Sequence, residues 1–236
     1  MKNIAVITGA SSGMGREFVC QLDGQFDEIW GIGLEEEKLK EVEKIIKTKF
    51  RSLVLDLTEE KSFSVYKEML KKEEINVKWL INCSGFGKFG RYNEIPVETS
   101  ANMIDLNCKA LLKMTEITIP FMNEGGKIIQ IASVAGFQPV PYMATYAASK
   151  AFVISYSRAL NVELKNKKIN EIREFFEQKA RFYNQKIEKY NYEINNNIEK
   201  YKIQIDKLIN TYDNLYVNVF KIMESAINNQ KNAIAN

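Results

Sequence analysis

The chain has 236 residues, of which 45% are hydrophobic, enough for a sizeable core and a length between one and two domains. A net charge of only +3 offers no global argument for nucleic acid, and the absence of histidine excludes histidine-based nucleophilic catalysis and speaks against a transition-metal site. No stretch reaches the 18 or so uninterrupted apolar residues of a membrane span, so none is expected.

The N-terminus carries one lysine and a short apolar run broken by Gly9 and Ser11. That is a poor signal peptide, and a cytoplasmic location is expected. The three cysteines, Cys20, Cys83 and Cys108, are odd in number and scattered, which gives neither a disulfide framework nor a metal site. They are expected to be buried thiols of a reducing compartment.

Ile4-Ala5-Val6-Ile7 reads as a first strand. It runs into Thr8-Gly9-Ala10-Ser11-Ser12-Gly13-Met14-Gly15 and then into a helical pattern with Phe18, Val19 and Leu22. Strand, glycine-rich turn and helix start are the setting in which glycine spacing acquires meaning. Glycine lets the backbone approach a pyrophosphate, and the helix end supplies N–H groups and a positive dipole. The spacing is G-x-x-x-G-x-G. Gly9, Ser11, Ser12, Gly13, Met14 and Gly15 are therefore the candidate phosphate cradle.

Strands and helices then alternate. Residues 28–33 read as a second strand and 35–47 as a helix with Leu39, Val42 and Ile46 on one face. Leu53-Val54-Leu55 is a third strand, ending in Asp56-Leu57-Thr58, with Thr58 as expected N-cap of a helix over 60–71. Residues 77–81 form a fourth strand, closing on Asn82-Cys83-Ser84-Gly85. A long helix is expected over 97–122, containing Asn107, and a fifth strand over 126–131. Such alternation implies right-handed crossovers and a parallel sheet with helices on both faces, which binds ligands at the carboxyl ends of its strands.

Beyond the fifth strand comes Ser133, a loop with Gly136, Pro139 and Pro141, and an alanine-rich helix. Tyr146 and Lys150 lie four apart, one turn apart on one helix face. A positive charge beside a phenol favours the phenolate. Tyr146 is thus a candidate proton donor near neutral pH. Ser133, at the carboxyl end of its strand, is placed to reach the same point.

These pieces, in this order and spacing, resemble the short-chain dehydrogenase/reductase family over about residues 1–165. They are the glycine turn from Thr8 to Gly15, Asp56, Asn82-Cys83-Ser84-Gly85 where the family has Asn-Asn-Ala-Gly, Asn107, Ser133, and Tyr146 with Lys150. The resemblance implies a Rossmann-type doubly wound parallel sheet and hydride transfer between NAD or NADP and a small-molecule alcohol or carbonyl. It implies Tyr146 as the acid–base and Lys150 as its partner, also bonding the nicotinamide ribose. Ser133 would orient the carbonyl oxygen and Asn107 would hold a relay water. Asp56 and Leu57 would contact the adenine, and Asn82, Ser84 and Gly85 would line the cofactor. After the second strand stand Gly33, Leu34 and Glu35-Glu36-Glu37, with no arginine. Carboxylates repel a 2′-phosphate, which tilts the expectation to NAD.

The chain then departs from the family. Every glycine lies at or before Gly136 and every proline at or before Pro141. No sixth strand with a Pro-Gly end, substrate loop or seventh strand is visible, so the sheet is expected to lack its last two strands and to leave the fifth as an open edge. Residues 166–236 form a separate helical tail, which holds 12 basic and 9 acidic residues. Apolar residues recur there at threes and fours from Ile172 through Ile194, Ile198, Tyr201, Ile205 and Leu208 to Ala226, an amphipathic or coiled-coil-like seam that suggests a homo-oligomer. Asn195-Asn196-Asn197 is an expected stutter or helix break, and Asn210 to Asn214 a second, weaker break. A charge excess this small argues against nucleic acid. Two readings follow. One is a working dehydrogenase; the other is a truncated nucleotide-binding pseudoenzyme or assembly protein.

Overall fold

The computed structural model describes residues 1–171, 195–208 and 210–211. They fall into two units, one within Met1–Gln178 and one within Lys179–Asn236.

The first unit is a six-stranded parallel sheet. Its strands are β1 (Lys2–Thr8), β2 (Glu28–Gly33), β3 (Lys49–Val54), β4 (Ile75–Asn82), β5 (Lys127–Gln130) and β6 (Asn170–Glu171), in the order β3-β2-β1-β4-β5-β6. The first four crossovers carry α1 (Gly13–Gln21), α2 (Glu36–Ile45), α3 (Glu60–Lys72) and the pair α4 (Val97–Ile104) and α5 (Leu111–Thr118). The long helix α6 (Ala144–Glu163) links β5 to β6.

Side chains alternate across a strand, so β1 sends Ile4 and Val6 to one face and Ala5 and Ile7 to the other. Both faces are apolar and both are covered. Ile4 and Val6 belong to a core with Trp30, Ile32, Tyr66, Leu70 and Met114. Ala5 and Ile7 join Val19, Ile29, Leu39, Val42 and Ile129. This double burial is why strands of a parallel sheet are continuous apolar runs. At the amino ends of the strands, the buried carboxylate of Glu28 is held by Arg51 Nε at 2.8 Å, with Lys2 at 3.4 Å and Lys49 at 3.5 Å. Arg51 also pairs with Glu73 and lies over the Trp30 ring.

Three expectations change. The helix over 97–122 is not continuous: a π-helical turn, Asp105–Ala110, separates α4 from α5, and a 3-10 turn closes it at Ile119–Phe121. Thr58 does not cap α3. The N-cap is Glu59, and the Thr58 hydroxyl donates instead to Asp56 Oδ1 at 2.7 Å.

The sheet also does not stop at five strands. After α6 the chain turns through Lys168, whose φ is 50°, and buries Ile169 beside Leu160 and Leu164. It is held there by Gly125 N–H donating to the Lys168 carbonyl at 3.0 Å. Asn170 and Glu171 then pair with Lys127 and Ile128. A two-residue strand is too short to carry a periodic signal in the sequence.

In the second unit, residues 195–208 are helical, Asn195-Asn196-Asn197 included, and the residues immediately before them lie outside the described ones. The seam residues Ile198, Tyr201, Ile205 and Leu208 are exposed. The remaining seam positions, from Ile172 to Ile194 and from Tyr212 on, lie outside the described residues.

Candidate active site

Strand order reverses between β1 and β4, and a doubly wound sheet binds its ligand in the crevice at that reversal. The register brings Thr8, Asn82 and Gln130 level at the strand tips. The Thr8 hydroxyl oxygen accepts from the Cys83 and Ser84 N–H groups, both at 3.0 Å, so the two tip loops are bound to each other.

The glycine turn packs on this junction. Gly9 has φ +68°, and a Cβ there would stand 3.1 Å from Ser84 N. Gly15 sits deeper. A Cβ on it would be 2.2 Å from the Gly9 carbonyl oxygen, so α1 can rest on the turn only through glycine. Ser12 is the N-cap of α1 and its side chain makes no capping bond. The first N–H groups of α1 are therefore left without a side-chain cap, beside a turn that Gly9, Gly13 and Gly15 keep close to the backbone, which fits a pyrophosphate.

A second cluster gathers around α6. Asn107 lies in the π turn. Its Oδ1 accepts from Phe86 N–H at 3.0 Å, and its Nδ2 donates to the Phe86 carbonyl at 2.9 Å and to Ser149 Oγ at 3.0 Å. Ser149 Oγ in turn donates to the Tyr146 carbonyl at 2.7 Å. A Cβ on Gly85 would stand 2.8 Å from Asn107 Oδ1, and one on Gly87 2.8 Å from the Tyr146 ring. The segment from Gly85 to Gly87 thus lies flat against both.

The Lys150 ammonium is buried 5.8 Å from the centroid of the Tyr146 ring and donates to the Ile131 carbonyl at 2.7 Å. Burial lowers its pKa from 10.5 to about 8. Burial also pushes the Cys83 thiol up to about 12 and raises Cys108, so both are inert thiols at neutral pH. All three cysteines are free. The loop after β5 covers Lys150, because Gly136 is packed so that a Cβ there would strike the Lys150 backbone at 2.6 Å. Ser133 opens this loop, and its Oγ accepts from Ala135 N–H at 3.2 Å. A glycine cradle and a buried ammonium beside a tyrosine thus stand at the strand tips of one parallel sheet.

A model of the family described as short chain dehydrogenase matches residues 3–173. The chain belongs to the short-chain dehydrogenase family. It is 34% identical over 176 residues to a very-long-chain 3-oxoacyl-CoA reductase of Pyricularia oryzae, with 69% of this chain and 52% of that protein covered. It therefore spans about half the length of that relative. Two solved structures are similar. One is a short-chain dehydrogenase of Sphingobium yanoikuyae in complex with NADPH (TM-score 0.64, 26% identity, covering 71% of this chain and 67% of that one). The other is a short-chain dehydrogenase/reductase of Burkholderia phymatum in complex with NAD (TM-score 0.66, 25% identity, covering 72% and 63%).

Within this family member, the predicted residues divide. Gly9, Ser11, Ser12, Gly13, Met14 and Gly15 surround the α1 start. Ser84 and Gly85 abut the Gly9 turn and Asn107 respectively. Asn107, Tyr146 and Lys150 share one cluster, and Ser133 sits on the loop over Lys150. Two side chains face elsewhere. Asn82 Nδ2 points into the interior, donating to Thr115 Oγ1 at 3.0 Å and Gln130 Oε1 at 2.9 Å. Leu57 is buried in the core beside Phe63 and Tyr66, which leaves only its backbone for the crevice. Asp56 Oδ1 accepts from Thr58 N–H at 2.9 Å, within its own turn. Thr8, Phe86, Gly87 and Ser149 went unread as site residues. Thr8 acts through its hydroxyl on the Cys83 and Ser84 N–H groups, and Phe86 and Gly87 through their backbone, none of which leaves a spacing pattern. Ser149 stands beside Lys150 in the sequence and was legible only as part of an alanine-rich helix. Among the described residues there is no cluster of potential metal ligands, and no helix is long and apolar enough to cross a membrane.

Proposed function

We propose that this chain is a nicotinamide-dependent oxidoreductase acting on an alcohol or carbonyl, with Tyr146 as general acid–base. The observation that carries this reading is the buried Lys150 ammonium held beside the Tyr146 ring, next to a cradle suited to a pyrophosphate. The nicotinamide, when bound, gives or takes the hydride. The chain supplies the rest. Tyr146 donates its phenolic proton to the carbonyl oxygen during reduction, and the adjacent cation stabilises the charge left on the phenol oxygen. Ser133 Oγ already accepts from Ala135 N–H, so its own proton is free for the same carbonyl oxygen. Asn107 has its side-chain amide committed to Phe86 and Ser149. It therefore positions the π turn, and its amide is not the group that would bind a relay water.

Gly9, Ser11, Ser12, Gly13, Met14 and Gly15 would hold the pyrophosphate, Asp56 and the Leu57 backbone the adenine, and Ser84 and Gly85 the nicotinamide half. We place NAD ahead of NADP. Beyond β2, Glu35 pairs with Lys38 at 2.7 Å and Glu36 with Lys40 at 2.9 Å, so the carboxylates there occupy the nearby cations and no arginine answers a 2′-phosphate. The exposed apolar seam of the helix over 195–208 supports a homo-oligomer. The pseudoenzyme reading rests on missing sixth and seventh strands and a missing substrate loop, and the two-residue β6 beside β5 weakens the first of these grounds.

The test is titration with NADH and NADPH, followed by turnover on a panel of carbonyls for wild type and Tyr146→Phe. Tighter NADH binding is expected, with turnover that the variant loses. Wild-type turnover no faster than that of the variant would reject the enzyme.

A further inference from the structure

We infer that the substrate of this site is an anion: a ketone or alcohol that also carries a carboxylate or phosphate, seated on Lys88 and Arg91. This rests on the oxidoreductase reading and adds the substrate's chemical class.

A cavity of about 380 Å³ opens at the start of α6, lined by Lys88, Arg91, Tyr92, Ile95, Tyr142 and Thr145. It adjoins the proposed acid. Thr145 precedes Tyr146 in the chain, and Gly87, the neighbour of Lys88, lies against the Tyr146 ring. The segment is fixed there. Gly90 N–H donates to the Tyr142 carbonyl at 2.9 Å, and the rings of Phe89 and Tyr142 are 5.6 Å apart.

The charge of the cavity is one-sided. Lys88 has no ion-pair or hydrogen-bond partner among the described residues. Arg91 faces one carboxylate, Glu94, only at 4.0 Å, and that carboxylate already accepts from Arg91 N–H at 2.8 Å. Among the lining residues none is acidic, and Lys88 and Arg91 outnumber Glu94, the carboxylate that Arg91 faces. Two cations on one wall of a concave site favour an anion. The volume lies at the small end of ligand pockets and suits a compact acid. A substrate held by its anionic end in this cavity would direct its carbonyl toward Tyr146, which follows the lining residue Thr145 in the chain.

Calorimetry on the full chain, with and without NADH, reads binding independently of turnover. The probes are matched pairs: acetoacetate against methyl acetoacetate, and dihydroxyacetone phosphate against dihydroxyacetone. The charged member of at least one pair should bind roughly fivefold tighter or better, a preference of the size exposed ion pairs supply. The pair that shows it distinguishes carboxylate from phosphate. The preference should shrink in raised salt, fall to about one in Lys88→Ala/Arg91→Ala, and invert in Lys88→Glu/Arg91→Glu. Equal binding of charged and neutral probes by wild type, or a preference that survives both double variants, would overturn the inference. Persistence of the preference in a protein that turns over no carbonyl would instead reject the oxidoreductase reading alone.

Discussion

Asn107 Nδ2 donates to Ser149 Oγ across 3.0 Å, and this bond, with Cys108 Sγ to the Ser149 carbonyl, joins the π turn between α4 and α5 to the helix that carries Tyr146 and Lys150. A π turn inserts an extra residue into a helix and persists where something holds it. Here Phe86 and Ser149 hold it from two sides. Ser149→Ala should cost about 1 kcal/mol of stability, since it leaves a buried amide donor one partner short. Loss of kcat should exceed any change in KM, because Tyr146 is displaced while the glycine cradle is untouched. Urea unfolding and steady-state kinetics check this, and a variant with wild-type kcat would show that the bond positions nothing.

Gly87 has a sharper role. Alanine there would place its Cβ 2.8 Å from Tyr146 Cδ2, so the ring must move. Displacing an acid by about 1 Å costs on the order of 10²-fold in rate. Gly87→Ala should therefore lose most of its turnover while NADH affinity stays within about twofold, since the cradle lies elsewhere. Fluorescence titration of NADH alongside kcat separates the two.

The pH dependence follows from Lys150, whose pKa burial lowers to about 8. Below pH 8 the folded chain carries the cation that supports Tyr146, and above it the cation is lost. Rates should fall as pH rises through about 8, and Lys150→Arg, where it folds, should shift that fall upward. Stability moves the other way. Between about pH 8 and 10.5 the unfolded chain still holds a proton that the folded one has released, so folding stability rises with pH over that window. A rate profile flat from pH 7 to pH 10 would exclude Lys150 as the supporting cation.

Away from the site, Glu28 tests the base of the sheet. Its carboxylate is almost fully buried and shared by Arg51, Lys2 and Lys49. Glu28→Ala removes the buried anion that Arg51, Lys2 and Lys49 share and should cost about 3 kcal/mol, as breaking a buried pair does. Thermal unfolding reads this directly. A shift of less than a degree would mean that Glu73 alone satisfies the cations.

Cofactor choice turns on the end of β2. Leu34 is exposed there beside Glu35. Leu34→Arg should raise affinity for NADPH relative to NADH by about tenfold, through a guanidinium–phosphate pair. An unchanged ratio in paired titrations would place the ribose elsewhere.

Sequence alone was sufficient for the alternating strands and helices, the glycine turn and the Tyr146–Lys150 spacing. Each is a local pattern: an apolar run of strand length, a turn that demands glycine, or two side chains one helical turn apart. It was not sufficient where distant segments meet. The π turn exists because Asn107 finds Phe86 and Ser149, and β6 exists because Ile169 has a core to enter and β5 has a free edge. Asn82 and Leu57 turn inward for the same reason. Parallel pairing and close packing are set by contacts between residues far apart in the chain, which leave no period in the sequence and are decided only when the sheet closes.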